Sequence, residues 1–357
     1  MRSFVAVLIW PLCLWGCCSW SVLLTSIAAT AGEPVALRAE SFMVPPSTQP
    51  LVFVDVKNLL KGPYRGSIAM KVPDGWRIDP SSREISLAAG ETKRVPFTIE
   101  QGLNVEANSY PIVVSATGAG ETVVRRQEVA CTSAPYFKPT IDGQPDDWKD
   151  AIPVTFTSGN KKTVISTYWN RRRFSILVAV EEDKLVAYGK GPAAGGFDAV
   201  QLAVSPQDAR TATSPDGEAA RFEFLFVATG EGKGTCFRLA APGDKLSETQ
   251  RCRDLGPLAY DDAEVAVGRR QGTTYYECSI PFRPMRERIR PSEGREFFLS
   301  VLVHDCDGTG IRDWGQAAGL WPWQRNALAW SRWEGAKWGQ KPPFDNKLQW
   351  GLCTSKY

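Results

Sequence analysis

The chain has 357 residues, of which 43% are hydrophobic and 23% charged, and a formal net charge of +3. That balance is globular and excludes a disordered tail protein or a collagen-like repeat, while so small a charge makes no case for nucleic acid. The one histidine, His304, excludes a histidine-rich metal site and any Ser-His-Asp triad built elsewhere.

Arg2 precedes an apolar stretch from Phe4 to Ile27, and Ala29-Thr30-Ala31 supplies small residues where an export signal is cut. Residues 1–31 therefore read as a signal peptide cleaved before Gly32. An uncleaved membrane anchor is the alternative, since the apolar run is long enough to span a bilayer. Leu14-Trp15-Gly16-Cys17 is a poor lipoprotein site, because Trp15 stands where a small residue is usual and the apolar run continues past Cys17. Each route exports the remainder, so the protein is expected to be secreted, periplasmic or on the cell surface.

Residues 33–131 carry alternating apolar positions: Val52, Val54 and Val56; Ile68, Met70 and Val72; Ile85 and Leu87; Val95, Phe97 and Ile99. Period two marks half-buried strands. Turn signals at Lys61-Gly62-Pro63, Pro73-Asp74-Gly75 and Ala89-Gly90-Glu91 separate them. Short strands at this spacing predict an immunoglobulin-like β-sandwich. Cys131 to Pro139 reads as a polar, proline-bearing hinge.

A second alternating pattern fills residues 136–357. Its runs are Phe174, Ile176, Val178, Val180; Val200, Leu202, Val204; Phe222, Phe224, Phe226; Tyr276, Cys278, Ile280, Phe282; and Phe297, Leu299, Val301, Val303. The expected fold class is all-β, with this larger sandwich following the first. No dinucleotide, P-loop, nucleophile-elbow or zincin motif occurs at a strand end. Glycoside hydrolysis needs two carboxylates roughly 5–9.5 Å apart, and no spacing singles out a pair.

Six cysteines follow the signal, and an exported chain makes them disulfide candidates. Cys236 and Cys252 flank a short polar loop, Cys278 and Cys306 lie on successive strands, and Cys131 with Cys353 would join the start of the second domain to its end. Seven of the thirteen tryptophans fall between Trp314 and Trp350, which makes that region either a binding platform or a small core. Trp333 and Trp338, set among glycine and lysine, are the better ligand candidates, while Trp330 and Trp350 look like strand core.

Two resemblances add to this reading. The segment Val72-Pro73-Asp74-Gly75-Trp76, followed by Leu87-Ala88-Ala89-Gly90-Glu91 and Val95-Pro96-Phe97, resembles the β-sandwich modules appended to alpha-galactosidases and related secreted glycosidases. It covers most of 35–129 and implies that Trp76 is core. Thr140-Ile141-Asp142-Gly143 with Trp148 is similar to the opening of carbohydrate-binding module family 9. The likeness continues through Tyr168-Trp169-Asn170, Phe197-Asp198-Ala199-Val200-Gln201-Leu202, Tyr276-Glu277-Cys278-Ser279-Ile280-Pro281-Phe282, and Val303-His304-Asp305-Cys306-Asp307-Gly308 with Arg312.

This second resemblance implies non-catalytic sugar binding between two exposed rings, because a pyranose offers C–H faces to an aromatic ring and hydroxyls to polar groups. Trp338 falls at one ring position. The other falls near Gly195, where Phe197, two residues on, is the nearest ring. Trp333 is a further candidate, and Asp198, Gln201 and Arg312 are the implied polar partners. No organic cofactor is expected. A structural calcium is the one ion the resemblance brings in, with Asp183, Asp198, Asp305, Asp307 and Asp313 as candidate ligands. They do not form an EF-hand, since Gly308 is fourth and Gln316 twelfth counting from Asp305.

The function expected is an exported carbohydrate-binding protein that takes a glycan in support of polysaccharide breakdown or envelope attachment, with a glycosidase as partner. A protein-binding or scaffold sandwich pair, and a glycoside hydrolase or its accessory subunit, are the alternatives.

Overall fold

A computed structural model describes residues 32–118, 120–189, 196–209, 216–230, 232–249, 254–314, 342–345 and 347–356. The proposed signal lies outside them. The described chain is all-β, and none of its helical segments exceeds four residues; no helix among the described residues is long and apolar enough to cross a membrane.

The first eight strands are β1 (Val35–Ala39), β2 (Leu51–Asn58), β3 (Tyr64–Lys71), β4 (Arg77–Asp79), β5 (Ser82–Leu87), β6 (Thr92–Gln101), β7 (Tyr110–Gly118) and β8 (Glu121–Val129). They form two four-stranded antiparallel sheets, ordered β1-β2-β6-β4 and β5-β3-β7-β8. The alternating residues read from the sequence are the ones buried between them: Val54, Val56, Ile68, Met70, Leu87, Val95, Phe97 and Ile99 share one core. Trp76 is half-buried at its rim, with its ring 5.4 Å from Tyr110 and 6.4 Å from Phe42.

Twelve strands follow: β9 (Ser133–Ala134), β10 (Val154–Ser158), β11 (Lys161–Trp169), β12 (Arg173–Glu181), β13 (Ala199–Pro206), β14 (Phe222–Gly230), β15 (Lys233–Ala240), β16 (Glu264–Arg270), β17 (Thr273–Pro281), β18 (Glu296–Asp305), β19 (Gly310–Asp313) and β20 (Gln349–Leu352). A five-stranded sheet, β10-β11-β12-β17-β16, faces a seven-stranded one, β15-β14-β13-β18-β20-β9 with β19 beside β18. Every alternating run named for this region contributes to the core between them.

The Asp142-Gly143 and Trp148 motif has a structural explanation. Glu277 on β17 is fully buried and accepts hydrogen bonds from the backbone N–H of Asp142 (2.8 Å) and Gly143 (2.5 Å) and from Trp148 Nε1 (2.6 Å). Gly143 sits at φ +82°, with its carbonyl against Gly268, so neither position admits a side chain without displacing backbone.

The predicted hinge is partly strand. Ser133 and Ala134 pair in parallel with Gly351 and Leu352, and Cys131 packs in the N-terminal core. The end of the chain lies along the first sandwich. Arg38 donates to the Asp345 carbonyl (2.6 Å), Lys57 to the Pro343 carbonyl (3.1 Å) and Asn104 to the Lys356 carbonyl (3.0 Å).

Candidate functional site

Strand β13 and the residues leading into it decide where most of the described candidates point. Alternation sends Asp198, Val200 and Leu202 inward and Phe197, Ala199 and Gln201 to the outer face of the seven-stranded sheet. Phe197 packs edge-on against Tyr188, with centroids 5.1 Å apart, beside an apolar cluster of Ala199, Leu225, Val227 and Phe237.

Gln201 belongs to a polar row on this outer face. Its Nε2 donates to Glu223 (3.1 Å), and its Oε1 lies 2.9 Å from His304 Nε2. Glu223 also pairs with Arg221, and all four side chains are buried. Burial holds His304 neutral by pushing its pKa down to about 3. With the Gln201 amide nitrogen directed at a carboxylate, the amide oxygen faces His304, so the ring carries its proton on Nε2. Glu223, Arg221 and His304 were not singled out as ligand groups from the sequence. The signal available was polar residues at alternate positions of two neighbouring strands.

Asp198 and Arg312 do not join Phe197 and Gln201. Both point between the sheets. Asp198 is buried and accepts the backbone N–H groups of Val186 (2.5 Å) and Cys306 (2.9 Å); even so, burial leaves its pKa raised. Arg312, with no exposed surface, donates to Asp305 (2.8 Å), Thr309 (2.6 Å), Thr163 (3.2 Å) and the Glu181 carbonyl (2.8 Å). Trp333 and Trp338, with most of the tryptophan-dense region, lie outside the described residues. Trp350 and Trp314 are core, meeting edge-on at 5.6 Å.

The five candidate metal ligands also separate. Asp183 is exposed and pairs with Lys161 (2.6 Å). Asp313 is part-buried on β19. Asp198 and Asp305 stand with Glu182, which the sequence reading missed, and their carboxylate oxygens lie within 4.8 Å of one another. Asp307 meets Asp198 in a second group with Cys306. Burial, and then the neighbouring Asp198, push the Cys306 thiol up to about 12, so it stays protonated at ordinary pH.

Among the described residues the cysteines are thiols. Cys252 lies outside them. The expected Cys278–Cys306 pairing is not the arrangement found: Cys278, on β17, shares the core between the sheets with Cys236 of β15, whereas Cys306 lies with Asp198 and Asp307. Cys131 and Cys353 are both buried in the N-terminal core.

Residues 60–118 match the family model described as the NPCBM-associated, NEW3 domain of alpha-galactosidase. The match falls inside the region that resembled such modules. Solved structures that the chain matches include a family 9 carbohydrate-binding module from Caldicellulosiruptor kristjanssonii in complex with glucose. It is 13% identical with a TM-score of 0.37, and the match covers 62% of this chain and 95% of that one. The same module in complex with cellotriose matches at 13% identity and a TM-score of 0.39, over 62% and 93% of the two chains. The E. coli chaperone DraB is 14% identical with a TM-score of 0.21, over 38% of this chain and 68% of its own. No curated protein matches the chain.

Proposed function

We propose that the protein is exported and binds a glycan without cleaving it, through its second sandwich, in support of polysaccharide breakdown or envelope attachment. The observation that carries this reading is the ordered series of motifs from Ile141 to Arg312, followed by a tryptophan-dense region. The first sandwich supports it, since residues 60–118 match a domain of alpha-galactosidase. Gln201, Glu223 and His304 offer buried hydrogen-bonding groups on one sheet face, with the Phe197 and Tyr188 rings nearby.

One observation favours the scaffold alternative. Asp198, Gln201 and Arg312 already have internal partners, so they add to the fold whether or not a sugar binds. Calorimetric titration of the full chain with glucose and cello-oligosaccharides separates the readings. Binding heat is expected, and Trp338→Ala is expected to weaken binding about 5- to 150-fold, the equivalent of roughly 1–3 kcal/mol for one stacked ring. The melting temperature of that variant is expected to stay near wild type. No heat with any sugar would leave the scaffold reading, and a large loss of stability in Trp338→Ala would make that ring core.

A further inference from the structure

The two ends of the second sandwich differ in charge. Strand β12 runs from Arg173 at one end to Glu181 and then Glu182 at the other, where Asp198 and Asp305 also lie. At the first end the tip of the β11–β12 hairpin carries Arg171-Arg172-Arg173. Its shape is set by Asn170, whose Oδ1 accepts the backbone N–H groups of Arg172 (2.9 Å) and Arg173 (3.0 Å). Strand β17 ends beside this tip. Pro281 pairs with Arg173, and the Phe282 N–H donates to the Arg172 carbonyl (2.8 Å). The chain then turns through Arg283–Met285. Met285 and Ile289 are buried in the core, while Arg283, Arg286, Arg288 and Arg290 are exposed. One short segment thus uses its apolar residues as anchors and presents its arginines to solvent.

Arg173 spends its charge locally, on Glu264 (3.5 Å), the Ser279 hydroxyl (2.9 Å) and the Asp262 carbonyl (2.9 Å). The other arginines of this end do not. Arg171, Arg172, Arg283, Arg286, Arg288 and Arg290 are all exposed, and among the described residues none of them is in an ion pair. Glu287 is the one acid between Phe282 and Arg290. Glu293, a little further on, accepts from the Thr354 hydroxyl (2.9 Å). A chain whose net charge is only +3 therefore gathers six exposed cations at one end. An ordinary soluble surface intersperses both signs. Guanidiniums gathered with little acid among them are suited instead to bidentate capture of carboxylate, sulfate or phosphate oxygens.

Exposed rings border the hairpin tip. Residues 135–137 run parallel to the end of β11, with Tyr136 bridged to Trp169 and the Phe137 N–H on the Trp169 carbonyl (3.0 Å). Tyr136 and Phe137 are 46% and 45% exposed. Each is seated on a ring beneath it, Trp169 at 5.0 Å and Tyr168 at 4.9 Å. A sugar can lay a C–H face on such a ring while its charged substituent meets a guanidinium. We propose that this end of the second sandwich binds an acidic polysaccharide, whose carboxylate or sulfate groups are held by the six exposed arginines. The choice of a polysaccharide rests on the glycan-binding reading above, but the surface is a separate one from the sheet face that carries Gln201 and Glu223. An acidic membrane fits less well, because among the described residues the second sandwich exposes no large aliphatic side chain to enter the headgroups.

The test is titration of the full chain with polygalacturonate, dextran sulfate and neutral dextran. In about 50 mM sodium chloride both polyanions are expected to bind and neutral dextran is not. Raising the salt to about 200 mM is expected to weaken binding roughly ten-fold or more, since each neutralised charge releases a counter-ion. A variant carrying Arg171→Ser, Arg172→Ser, Arg286→Ser and Arg288→Ser is expected to lose about ten-fold or more in affinity and to keep the wild-type melting temperature, because all four side chains are exposed. Removing as many exposed cations from the opposite end, through Lys162→Ser, Lys184→Ser, Lys233→Ser and Arg270→Ser, is expected to change affinity less than about three-fold, as charges beyond a Debye length are screened. Three results would overturn the proposal: no binding of either polyanion, equal losses in the two variants, or tighter binding of phosphatidylcholine–phosphatidylglycerol vesicles or duplex DNA than of either polysaccharide. Glucose titrated into the same samples keeps the two sites apart. Heat with glucose but none with the polyanions sinks the arginine site alone, and arginine-dependent polyanion binding without glucose heat leaves it standing.

Discussion

Glu277 shows how much one buried carboxylate can organise. It gathers three donors from the Asp142-to-Trp148 segment onto β17 and fixes the entry to the second sandwich. Glu277→Gln keeps the shape but turns an N–H toward a donor, so it is expected to lower stability by about 2–3 kcal/mol in chemical denaturation. The same residue imposes a pH dependence. Burial, the largest influence, raises its pKa above the ordinary 4.5 despite the three donors. The folded state then holds a proton that the unfolded chain has released, so this contribution weakens the fold as pH rises from 4.5 through the folded-state value. Glu277→Gln is expected to flatten that slope. Arg312 makes a parallel case. With no exposed surface and donors spent on Asp305, Thr309, Thr163 and Glu181, Arg312→Met is expected to cost about 3–5 kcal/mol, because Asp305 is left buried without its cation. Thermal melts measure this directly, and an unchanged melt would free Arg312 for ligand contact.

Within elements, alternation was legible and partnership was not. Val200 and Leu202 could be assigned to the core from the sequence because a strand sends every second side chain to the same face. The same rule, applied across Phe197, Asp198 and Gln201, already separates Asp198 from its neighbours; a shared ligand role had set it beside them. Glu182, buried where it continues the apolar row of β12, escaped notice because nearby Asp183 looked like an equivalent acid. The cysteines show the same limit, although Cys252 lies outside the described residues. Nearness in sequence suggested Cys236 with Cys252, whereas β15 and β17 lie in opposite sheets and bring Cys236 to Cys278 across the core. In oxidised protein, non-reducing peptide mapping is expected to return a peptide linking Cys236 to Cys278. A Cys278–Cys306 peptide would mean that the ends of β17 and β18 rearrange.

At the scale of the molecule, the segment from β20 to Cys353 reaches the cores of both sandwiches. Trp350 on β20 is in the second core, with its Nε1 donating to Thr167 (3.0 Å), while Cys353 three residues later is buried in the first. Between them Gly351 is pressed against the Met43 carbonyl, where a Cβ would come within 2.2 Å of the oxygen, so the glycine permits the two sandwiches to approach. Arg94 extends this seam, holding Glu40 at 2.6 Å and reaching Gln349 at 3.2 Å. A chain whose sandwiches were joined only by a flexible linker would confine the effect of a C-terminal deletion to the second. Here, removing residues 349–357 takes the parallel partner from Ser133 and Ala134 and opens the first core at Cys353. Hydrogen exchange in β2 and β6, whose residues lie far from the deletion in sequence, is therefore expected to accelerate about ten-fold, equivalent to roughly 1.4 kcal/mol of opening free energy. Unchanged exchange in Leu51–Asn58 and Thr92–Gln101, alongside loss of protection in β18, would show that the sandwiches fold independently and that the C-terminal segment is a contact without energetic weight.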